Sequence, residues 1–336
     1  MKKTVCVLMS LLLCLMLSVA SATDTFSDPV DEEEAFLEEE TLTEEPTQGD
    51  ESAAGTPAIG VTEPTVRWAY GVSLTALQSP YLILVNEENP LDKGYVPEPL
   101  VKMNMVKRAT SNMINLQDAA AKAVEEMFEE ALAVRSFTHT KLNSRGNEVE
   151  ETLEYPDGMV LYLKSGYRSY SQQSTTYSNY LARNNNVDDG YVAKPGASEH
   201  QSGLSCDILN KDYAGRSYMT QDFKDTPEAK WMKEHCAEFG LILRYTEAKE
   251  ATTGIKFEPW HFRYVGKEAA GYISATGMSL EEFTVEWQKE IEDFLARGGD
   301  IQEQLAYEEN TINAPPASYI LNEMGEDGDA EISLVF

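Results

Sequence analysis

Two short stretches carry the residues that decide the fold of this chain. Residues 198–207 read SEHQSGLSCD, and residues 258–264 read EPWHFRY. Each stretch contains one of only four histidines in the chain, His200 and His261. Because histidine is the commonest metal ligand and transfers protons near neutral pH, a chain with so few histidines offers few sites for such chemistry.

The acidic residues around these two histidines have a spacing that suits a metal site. Asp207 follows His200 by seven residues, and Glu258 precedes His261 by three. Catalytic zinc commonly takes three protein ligands and keeps a fourth position for water, whose pKa falls to about 7. His200, Asp207 and His261 would form such a set, and Glu258 could accept the proton from the water. Spacing alone leaves open that these are structural histidines with acids nearby.

Other nucleophiles and ligands are less favoured by the sequence. His139 lies in a polar stretch and is expected to be exposed, and His235 lies on a predicted helix, so neither is expected to bind metal. The chain has no Gly-x-Ser-x-Gly motif, which argues against a serine nucleophile. Cys206 is interpreted as a small packing residue beside Asp207.

A third stretch, residues 165–170 with the sequence SGYRSY, follows a predicted strand. An arginine after a glycine-containing turn, as Arg168 is, can project its planar guanidinium into a cleft. There it could bind a substrate carboxylate through two hydrogen bonds. The alternative is a surface arginine on a turn.

The charge and the N-terminus restrict where the protein acts. The chain has 336 residues and a formal net charge of −30, so a polyanion such as nucleic acid is an unfavourable partner. Residues 1–22 combine two lysines, an apolar run and Ala-Ser-Ala, which predicts a cleaved export signal. A membrane anchor is the alternative, but the run is shorter than the ~20 residues that span a bilayer. We therefore predict a secreted protein without a stable membrane span.

The composition divides the chain into four parts. After the signal, residues 23–65 are rich in glutamate and poor in apolar residues, which predicts a disordered acidic linker. Residues 66–299 have the apolar patterning of a globular domain. Residues 300–336 form a weakly patterned acidic tail.

Within residues 66–299 the patterning predicts an α+β fold, because helices and strands do not alternate regularly. A polar loop or hairpin is expected at residues 135–158. The predicted helices are 116–132, 226–239 and the segment that begins at Ser279, where Ser279 and Glu282 can form a capping box; the predicted strands are 81–85, 159–163 and 241–243.

Taken together and in order, the stretches at 165–170, 198–207, 240–245 and 258–266 resemble the VanY-type D-alanyl-D-alanine carboxypeptidases. These are relatives of the VanX dipeptidases and of the lysostaphin/hedgehog-like zinc fold. The resemblance also includes residues 84–97, and it extends from about Tyr81 to the helix that starts at Ser279. It implies a small antiparallel sheet with flanking helices that carries a His/Asp/His zinc site.

The resemblance also implies a role for each site residue. His200, Asp207 and His261 would bind one zinc ion, Glu258 would be the general base, and Arg168 would polarise the scissile carbonyl or hold the terminal carboxylate. The substrate pocket would be lined by Ser169, Gln173 and Ser198. Trp260 would shape its wall.

Two departures from the family pattern stand out. Ser205-Cys206 replaces the usual Ala-Val before Asp207, so Cys206 either packs as a thiol or pairs with Cys236. The stretch 135–158 is longer than expected, and it could cover or extend the cleft. Neither departure removes a ligand or the base.

The implied function is removal of the terminal D-alanine from peptidoglycan stem peptides. Three alternatives remain open: an L,D-carboxypeptidase acting on tetrapeptide stems, a cross-bridge endopeptidase, and a non-catalytic wall-binding module. The sequence does not indicate an oligomeric state.

Overall fold

The computed structural model describes residues 63–312, so the predicted export signal and nearly all of the predicted acidic linker lie outside it. Within this range, no helix is both long and apolar enough to cross a bilayer. The α-helices are α1 (Leu74–Leu77), α2 (Asp118–Ala133), α3 (Tyr170–Arg183), α4 (Lys211–Ala214), α5 (Pro227–His235), α6 (Glu250–Thr253), α7 (Lys267–Thr276), α8 (Leu280–Ala296) and α9 (Ile301–Ile312). Short 3-10 helices cover Pro80–Leu82, Glu199–Ser202, Gln221–Asp225, Cys236–Phe239 and Glu247–Lys249.

The strands are short and all of their pairings are antiparallel. They are β1 (Leu100–Lys102), β2 (Asn115–Gln117), β3 (Ser136–Leu142), β4 (Glu148–Glu154), β5 (Tyr162–Ser165), β6 (Ser205–Leu209), β7 (Leu241–Leu243) and β8 (His261–Tyr264). β1 pairs with β2, β3 pairs with β4, and the central sheet has the order β5-β6-β8-β7. The predicted α+β class with a small antiparallel sheet is confirmed.

Strand β6 forms the interior of the central sheet. All five of its residues are buried, although the strand contains the polar residues Ser205 and Asp207. Register pairs Asp207 with Ser165 on β5 and with His261 on β8. Three segments that are distant in sequence therefore meet at one row of the sheet.

Helix α2 closes the main core beneath this sheet. Its apolar residues recur at intervals of three and four, so they occupy one face of the helix. Ala120, Val124, Met127 and Ala131 are buried in the same core as Phe262 of β8. The predicted helix is confirmed, but it begins at Asp118 because Leu116 belongs to β2.

A second apolar cluster lies between helices α7 and α8 and the segment that precedes α1. Phe283 and Phe294 of α8 are fully buried there together with Val72 and Leu74. Helix α8 begins as predicted after Ser279, whose hydroxyl accepts the Glu282 amide while the Glu282 carboxylate accepts the Ser279 amide.

Helix α9 lies beyond residue 299, where the sequence showed only a weak pattern. Ile301 and Leu305 pack against the second cluster. The carboxylate of Glu308 accepts the backbone amides of Leu74 and Thr75 at 3.1 and 2.9 Å, and also the Thr75 hydroxyl. This helix therefore caps the first turn of α1 from a distant part of the chain.

Two predicted strands differ from the structure. Residues 81–85 form no strand; Pro80 starts a 3-10 turn that the Ser79 hydroxyl caps. The apolar side chains of Leu82 and Val85 are nevertheless buried, and burial alone does not distinguish a strand from a packed loop. The strand predicted at 159–163 begins only at Tyr162, and residues 159–161 enter the core as irregular backbone.

The polar stretch 135–158 is a hairpin in which β3 pairs with β4 over seven residues. The expectation that His139 is exposed is wrong, because only 6% of it is accessible. Its ring packs beside Phe137, and its Nδ1 lies 3.1 Å from the Lys230 amine on α5. His139 thus helps to pack the hairpin against α5.

The two cysteines of the described region are separate thiols. Cys206 on β6 and Cys236 after α5 are both buried and both free. Of the two possibilities that the sequence left open, the structure has the unpaired one.

Candidate metal centre

Three side chains from different elements form a buried cluster. His200 lies in the 3-10 helix Glu199–Ser202, Asp207 lies on β6, and His261 opens β8. One potential ligand atom from each residue lies within 4.8 Å of those of the other two. Among residues 63–312, this is the single group of three or more histidine, cysteine or acidic side chains with such a geometry.

The backbone around His200 fixes the position of its ring. Gly203 ends the 3-10 helix with φ of +70°, a left-handed conformation that favours glycine. A Cβ at this position would also come within 3.0 Å of the Pro97 side chain. The chain can therefore turn directly from His200 into β6, which carries Asp207.

Hydrogen bonds orient the two imidazoles toward the cluster. His200 Nδ1 lies 2.7 Å from the carbonyl oxygen of Gly166; because a carbonyl can only accept, Nδ1 carries the proton and Nε2 has the free lone pair. That Nε2 lies 3.4 Å from Asp207 Oδ2. His261 instead turns Nδ1 inward, 3.1 Å from Asp207 Oδ1. The histidines therefore present different ring nitrogens to the same carboxylate.

Two nitrogens and one carboxylate oxygen are a donor set that can hold a transition metal ion. All three side chains are almost fully buried, so a cation bound there would be held out of bulk water. The sequence prediction that His200, Asp207 and His261 converge is consistent with these positions, and their roles as ligands are taken up below.

The electrostatics of the cluster reflect its burial. Burial raises the pKa of the Asp207 carboxyl, but His200 and His261 outweigh it and hold that pKa well below its usual range. Burial, with Arg168 nearby, lowers the pKa of His200. Burial also disfavours charge on His261, but the neighbouring carboxylates of Asp207 and Glu199 raise its pKa to about 9. Positive charge is therefore favoured beside Asp207.

Glu258 lies next to the cluster without belonging to it. Its Oε2 is 3.5 Å from His261 Nδ1, and its backbone amide donates to the Tyr245 carbonyl at 3.1 Å. Burial, together with the charge of Asp207, raises the pKa of this carboxyl to about 8, although His261 and Arg168 act in the opposite direction. A carboxyl with this pKa can both accept and release a proton near neutral pH.

Arg168 projects into the same space. Its backbone amide donates to the His200 carbonyl at 3.1 Å, which ties it to the cluster. Burial lowers the pKa of its guanidinium, while the charges of Asp207 and Glu258 oppose that shift. Within residues 63–312, the guanidinium makes no hydrogen bond or ion pair with another side chain or carbonyl, so its donors remain available for a ligand.

The cluster opens on a cavity of about 420 Å3. Gln173 is almost fully buried on its wall; its Nε2 donates to the Ala193 carbonyl, and its Oε1 has no partner among the described residues. Trp260 forms another part of the wall and packs at 6.4 Å from the ring of Tyr191. The cavity lining includes the predicted residues Arg168, Gln173, Ser198, His200, Asp207, Glu258, Trp260 and His261.

Ser169 is the predicted site residue that the structure does not bring to this cavity. Its hydroxyl accepts the backbone amide of Gln172, and the Gln172 side chain accepts the Ser169 amide. This capping box starts helix α3. Ser169 therefore supports the helix that carries Gln173 rather than lining the cleft.

Sequence reasoning missed a buried ionic group behind the cluster. Glu199 Oε1 accepts from Arg244 Nε and from Arg263 Nη1, each at 2.8 Å. Burial raises the Glu199 pKa, but the two arginines dominate and hold it far below its usual range. Arg244 also binds Glu281 at the start of α8. No periodicity signals such a network; the only clue was that Glu199 adjoins His200.

The remaining histidines take no part in this centre. His139 belongs to the hairpin, and His235 pairs with Glu238 on the surface at 2.7 Å. Next to the cluster, burial raises the pKa of the Cys206 thiol well above its usual value. Cys206 thus behaves as the packing residue that the sequence predicted, because a buried thiol of raised pKa is a poor nucleophile.

The fold and the site together define an α+β protein with a buried His/Asp/His cluster at a deep cleft, an arrangement that belongs to metal-dependent hydrolases. The family model described as VanY, D-alanyl-D-alanine carboxypeptidase, matches residues 150–267.

The chain is also similar to individual proteins. A Bacillus subtilis (strain 168) protein that carries a carboxypeptidase name, YodJ, is 30% identical over 62% of this chain and 75% of its own length. The D-Ala-D-Ala dipeptidase and carboxypeptidase VanXYC of Enterococcus gallinarum is 30% identical over 60% of this chain and 92% of its own length. The solved structure of the LdcB LD-carboxypeptidase is 30% identical, with a TM-score of 0.49 over 66% of this chain and 93% of that one.

This chain belongs to the VanY family of D-alanyl-D-alanine carboxypeptidases. The resemblance predicted from residues 165–266 is thereby confirmed, and with it the assignment of the chain to the hydrolases.

Proposed function

We propose that this chain is an exported, zinc-dependent carboxypeptidase that removes the terminal D-alanine from peptidoglycan stem peptides. One observation carries the proposal. The buried cluster of His200, Asp207 and His261 lies on the wall of a cleft that also contains the carboxyl of Glu258 and the guanidinium of Arg168.

The donor set supports zinc as the metal. Zinc in catalytic sites is commonly bound by two imidazoles and a carboxylate, whereas magnesium and calcium prefer oxygen ligands throughout. The hydrogen bond from His200 Nδ1 to the Gly166 carbonyl supports this assignment, because metal-binding histidines usually donate their other ring nitrogen in this way. When bound, zinc supplies a Lewis acid that polarises a carbonyl and makes water acidic enough to lose a proton near neutral pH.

Glu258 carries the proton in this proposal. It lies beside the cluster, and burial raises its pKa, so its carboxyl holds a proton more readily than an exposed glutamate does. It therefore accepts a proton from the attacking water and holds it until the peptide nitrogen leaves. The same proton then passes to the departing amine.

Arg168 binds the negative charge of the substrate. Its planar guanidinium can donate two parallel hydrogen bonds to the carboxylate of a terminal D-alanine, or it can stabilise the oxygen of the scissile carbonyl as charge develops there. A half-buried arginine on the cavity wall whose guanidinium has no partner among residues 63–312 supports either role, because its donors are free to bind a ligand.

Gln173 supplies a hydrogen-bond acceptor for the peptide. Its Nε2 must donate to the Ala193 carbonyl, so Oε1 is directed away from that bond and has no partner within residues 63–312. A substrate N–H that reaches Oε1 would remove the penalty of a buried acceptor without a partner. Ser198 and Trp260 complete the wall in this proposal.

The names of relatives support the D-alanine specificity. The Enterococcus gallinarum relative is named for both D-Ala-D-Ala dipeptidase and carboxypeptidase activities, and an Enterococcus faecium relative is named D-alanyl-D-alanine carboxypeptidase. Export through the signal predicted at residues 1–22 would bring the enzyme to peptidoglycan, its proposed partner.

The test uses three defined substrates: a muramyl pentapeptide that ends in D-alanyl-D-alanine, the corresponding tetrapeptide and a cross-linked dimer. We expect free D-alanine from the pentapeptide, with loss of activity in a chelator and recovery on addition of zinc. The metal-free chain with magnesium serves as the control.

Each other outcome replaces the proposal by a named alternative. Release from the tetrapeptide alone would make the chain an L,D-carboxypeptidase, and cleavage of the dimer alone would make it an endopeptidase. Binding of all three without cleavage, despite bound zinc, would make it a wall-binding module.

A further inference from the structure

The side of His261 that faces away from the cluster is occupied by Glu199. His261 Nε2 lies 3.7 Å from Glu199 Oε2, and neither atom has a hydrogen-bond partner among the described residues. Both side chains are buried, so no bulk water is available to serve either atom. A buried donor and a buried acceptor left unpaired at this distance are natural partners, because each would otherwise lack its hydrogen bond.

Two arginines hold Glu199 in this position. Its Oε1 accepts from Arg244 Nε and Arg263 Nη1, so that oxygen is fully engaged and only Oε2 faces His261. Arg263 is fixed in turn by the carbonyls of Tyr81 and Ile83, and Arg244 by Glu281. The carboxylate therefore cannot turn toward another partner.

The consequence concerns the ring nitrogen that His261 offers to the cluster. A carboxylate can only accept, so it keeps the proton of a singly protonated His261 on Nε2 and leaves the Nδ1 lone pair directed inward. Metal-binding histidines are commonly oriented through their second nitrogen, and losing such a partner typically weakens metal binding by roughly 10- to 100-fold.

We propose that Glu199 is a positioning residue that fixes the orientation and proton position of His261, so that Nδ1 is free to bind the metal. This rests on the proposed function, since it assigns a role toward the zinc ion proposed there. Glu199 is not itself one of the proposed ligands. The two arginines that hold it are fixed by the carbonyls of residues 81 and 83 and by Glu281 in the first turn of α8.

The Glu199→Gln variant tests the inference sharply. The arginines require an acceptor, so the amide oxygen replaces Oε1 and the amide NH2 faces His261 Nε2. Nε2 must then accept, which moves the ring proton to Nδ1, where it opposes metal binding. We expect zinc affinity, measured at neutral pH by competition with a chromophoric chelator, to fall by roughly 10- to 100-fold.

The matched control is Glu228→Gln. The Glu228 carboxylate accepts from Asn210 and from Tyr155, and none of these three residues lines the cavity. We expect its zinc affinity to equal that of the wild type. Thermal melts of both metal-free variants establish that each is folded at the temperature of the titration.

A second measurement, on the wild-type chain, does not depend on any variant folding. In the zinc-loaded protein labelled with 15N histidine, we expect His261 to show a protonated Nε2 whose hydrogen exchanges slowly with solvent. An unprotonated Nε2, or a Glu199→Gln chain that binds zinc as tightly as the wild type, would overturn the role of Glu199. A wild-type chain that binds no zinc would instead overturn the proposed function.

Discussion

His200 and His261 direct opposite ring nitrogens toward Asp207, and the cause lies in what each ring meets on its outer side. A backbone carbonyl at Gly166 takes the Nδ1 proton of His200, whereas Glu199 lies against Nε2 of His261. Because each outer partner is an acceptor, both inner nitrogens can carry lone pairs. The metal-binding capacity of the cluster therefore depends on groups that are not ligands.

Arg168 provides the first prediction at the residue scale. Arg168→Lys keeps the positive charge but loses the planar fork that binds a carboxylate through two hydrogen bonds. We expect kcat/KM for a D-alanine-terminated peptide to fall at least roughly tenfold, a loss of about 1.4 kcal/mol in transition-state stabilisation, with unchanged zinc content.

Arg135→Lys is the control for that change, since Arg135 is exposed at the base of the hairpin and its guanidinium donates only to the Leu132 carbonyl among the described residues. Equal kinetics of Arg168→Lys and the wild type would show that Arg168 does not bind the substrate.

The buried thiols give a second prediction. Burial raises the pKa of Cys236 to about 12 and that of Cys206 well above its usual value. A raised pKa lowers the thiolate fraction at pH 8, and the thiolate is the reactive form. We expect both thiols of the folded chain to react with a disulfide reagent at least roughly a hundredfold more slowly than in denaturant. Rapid reaction of either thiol in the native chain would contradict this account.

At the scale of the element, capping decides where the functional helices begin. Ser169 starts α3, which carries Gln173, and Ser279 starts α8, which carries Glu281. The sequence predicts the capping box at Ser279 but not the one at Ser169. The resemblance places Ser169 in the substrate pocket. The sequence around a serine next to Arg168 does not show whether that serine caps a helix or contacts the substrate.

Removing the Ser279 cap should weaken the fold without altering the ligands. The Ser279 hydroxyl accepts the Glu282 amide and is buried, so Ser279→Ala should lower the free energy of unfolding by about 1 kcal/mol. Chemical denaturation of the metal-free chain measures this change. Ser274→Ala, at an exposed position of α7, should stay within about 0.5 kcal/mol of the wild type; an equal loss in both variants would contradict the capping argument.

The sequence predicted the elements that have a strong local signal. Helix α2 and helix α8 each present a continuous apolar face, and the cluster residues stand in two distinctive stretches. The strand predicted at 81–85 failed because its apolar residues face the core from a loop, and Arg263 takes the Tyr81 and Ile83 carbonyls that a sheet would use. The sequence predicts that His139 is exposed because the surrounding stretch is polar. In the structure His139 is buried because the hairpin packs against α5.

At the scale of the whole molecule, the site depends on segments far from it in sequence. Glu281 lies beyond the region matched by the family model, yet its carboxylate binds Arg244, which binds Glu199 behind His261. Such long-range ion pairs follow from the folded topology, so the sequence could not reveal them. Spacing suggested that Asp207 and His261 share one site, but the pairing of Ser165 with Asp207 across the sheet carries no sequence signal.

Helix α9 gives the prediction at this scale. Gln304 accepts the Trp68 amide, and Glu308 accepts the amides of Leu74 and Thr75. Deleting residues 300–336 leaves these amides without partners and uncovers part of the second apolar cluster. We expect Tm to fall by several degrees while one zinc ion per chain is retained, because Asp207 and His261 lie in the central sheet and His200 in the 3-10 helix that leads into it.

The point variant Glu308→Gln separates the helix from the rest of the deleted tail. It should reproduce part of the decrease in Tm, since a neutral amide accepts less strongly than a carboxylate. A deletion that leaves Tm unchanged would show that α9 does not stabilise the domain.

The central claim is that His200, Asp207 and His261 hold a metal ion while Glu258 transfers the proton, and Glu258→Ala tests it most directly. Zinc content and D-alanine release from a pentapeptide are measured on the same preparation. The account predicts one zinc ion per chain, as in the wild type, with kcat reduced by roughly a hundredfold or more. Wild-type release by the zinc-loaded variant would contradict the assignment of the base, and loss of zinc from the variant would make Glu258 a ligand instead.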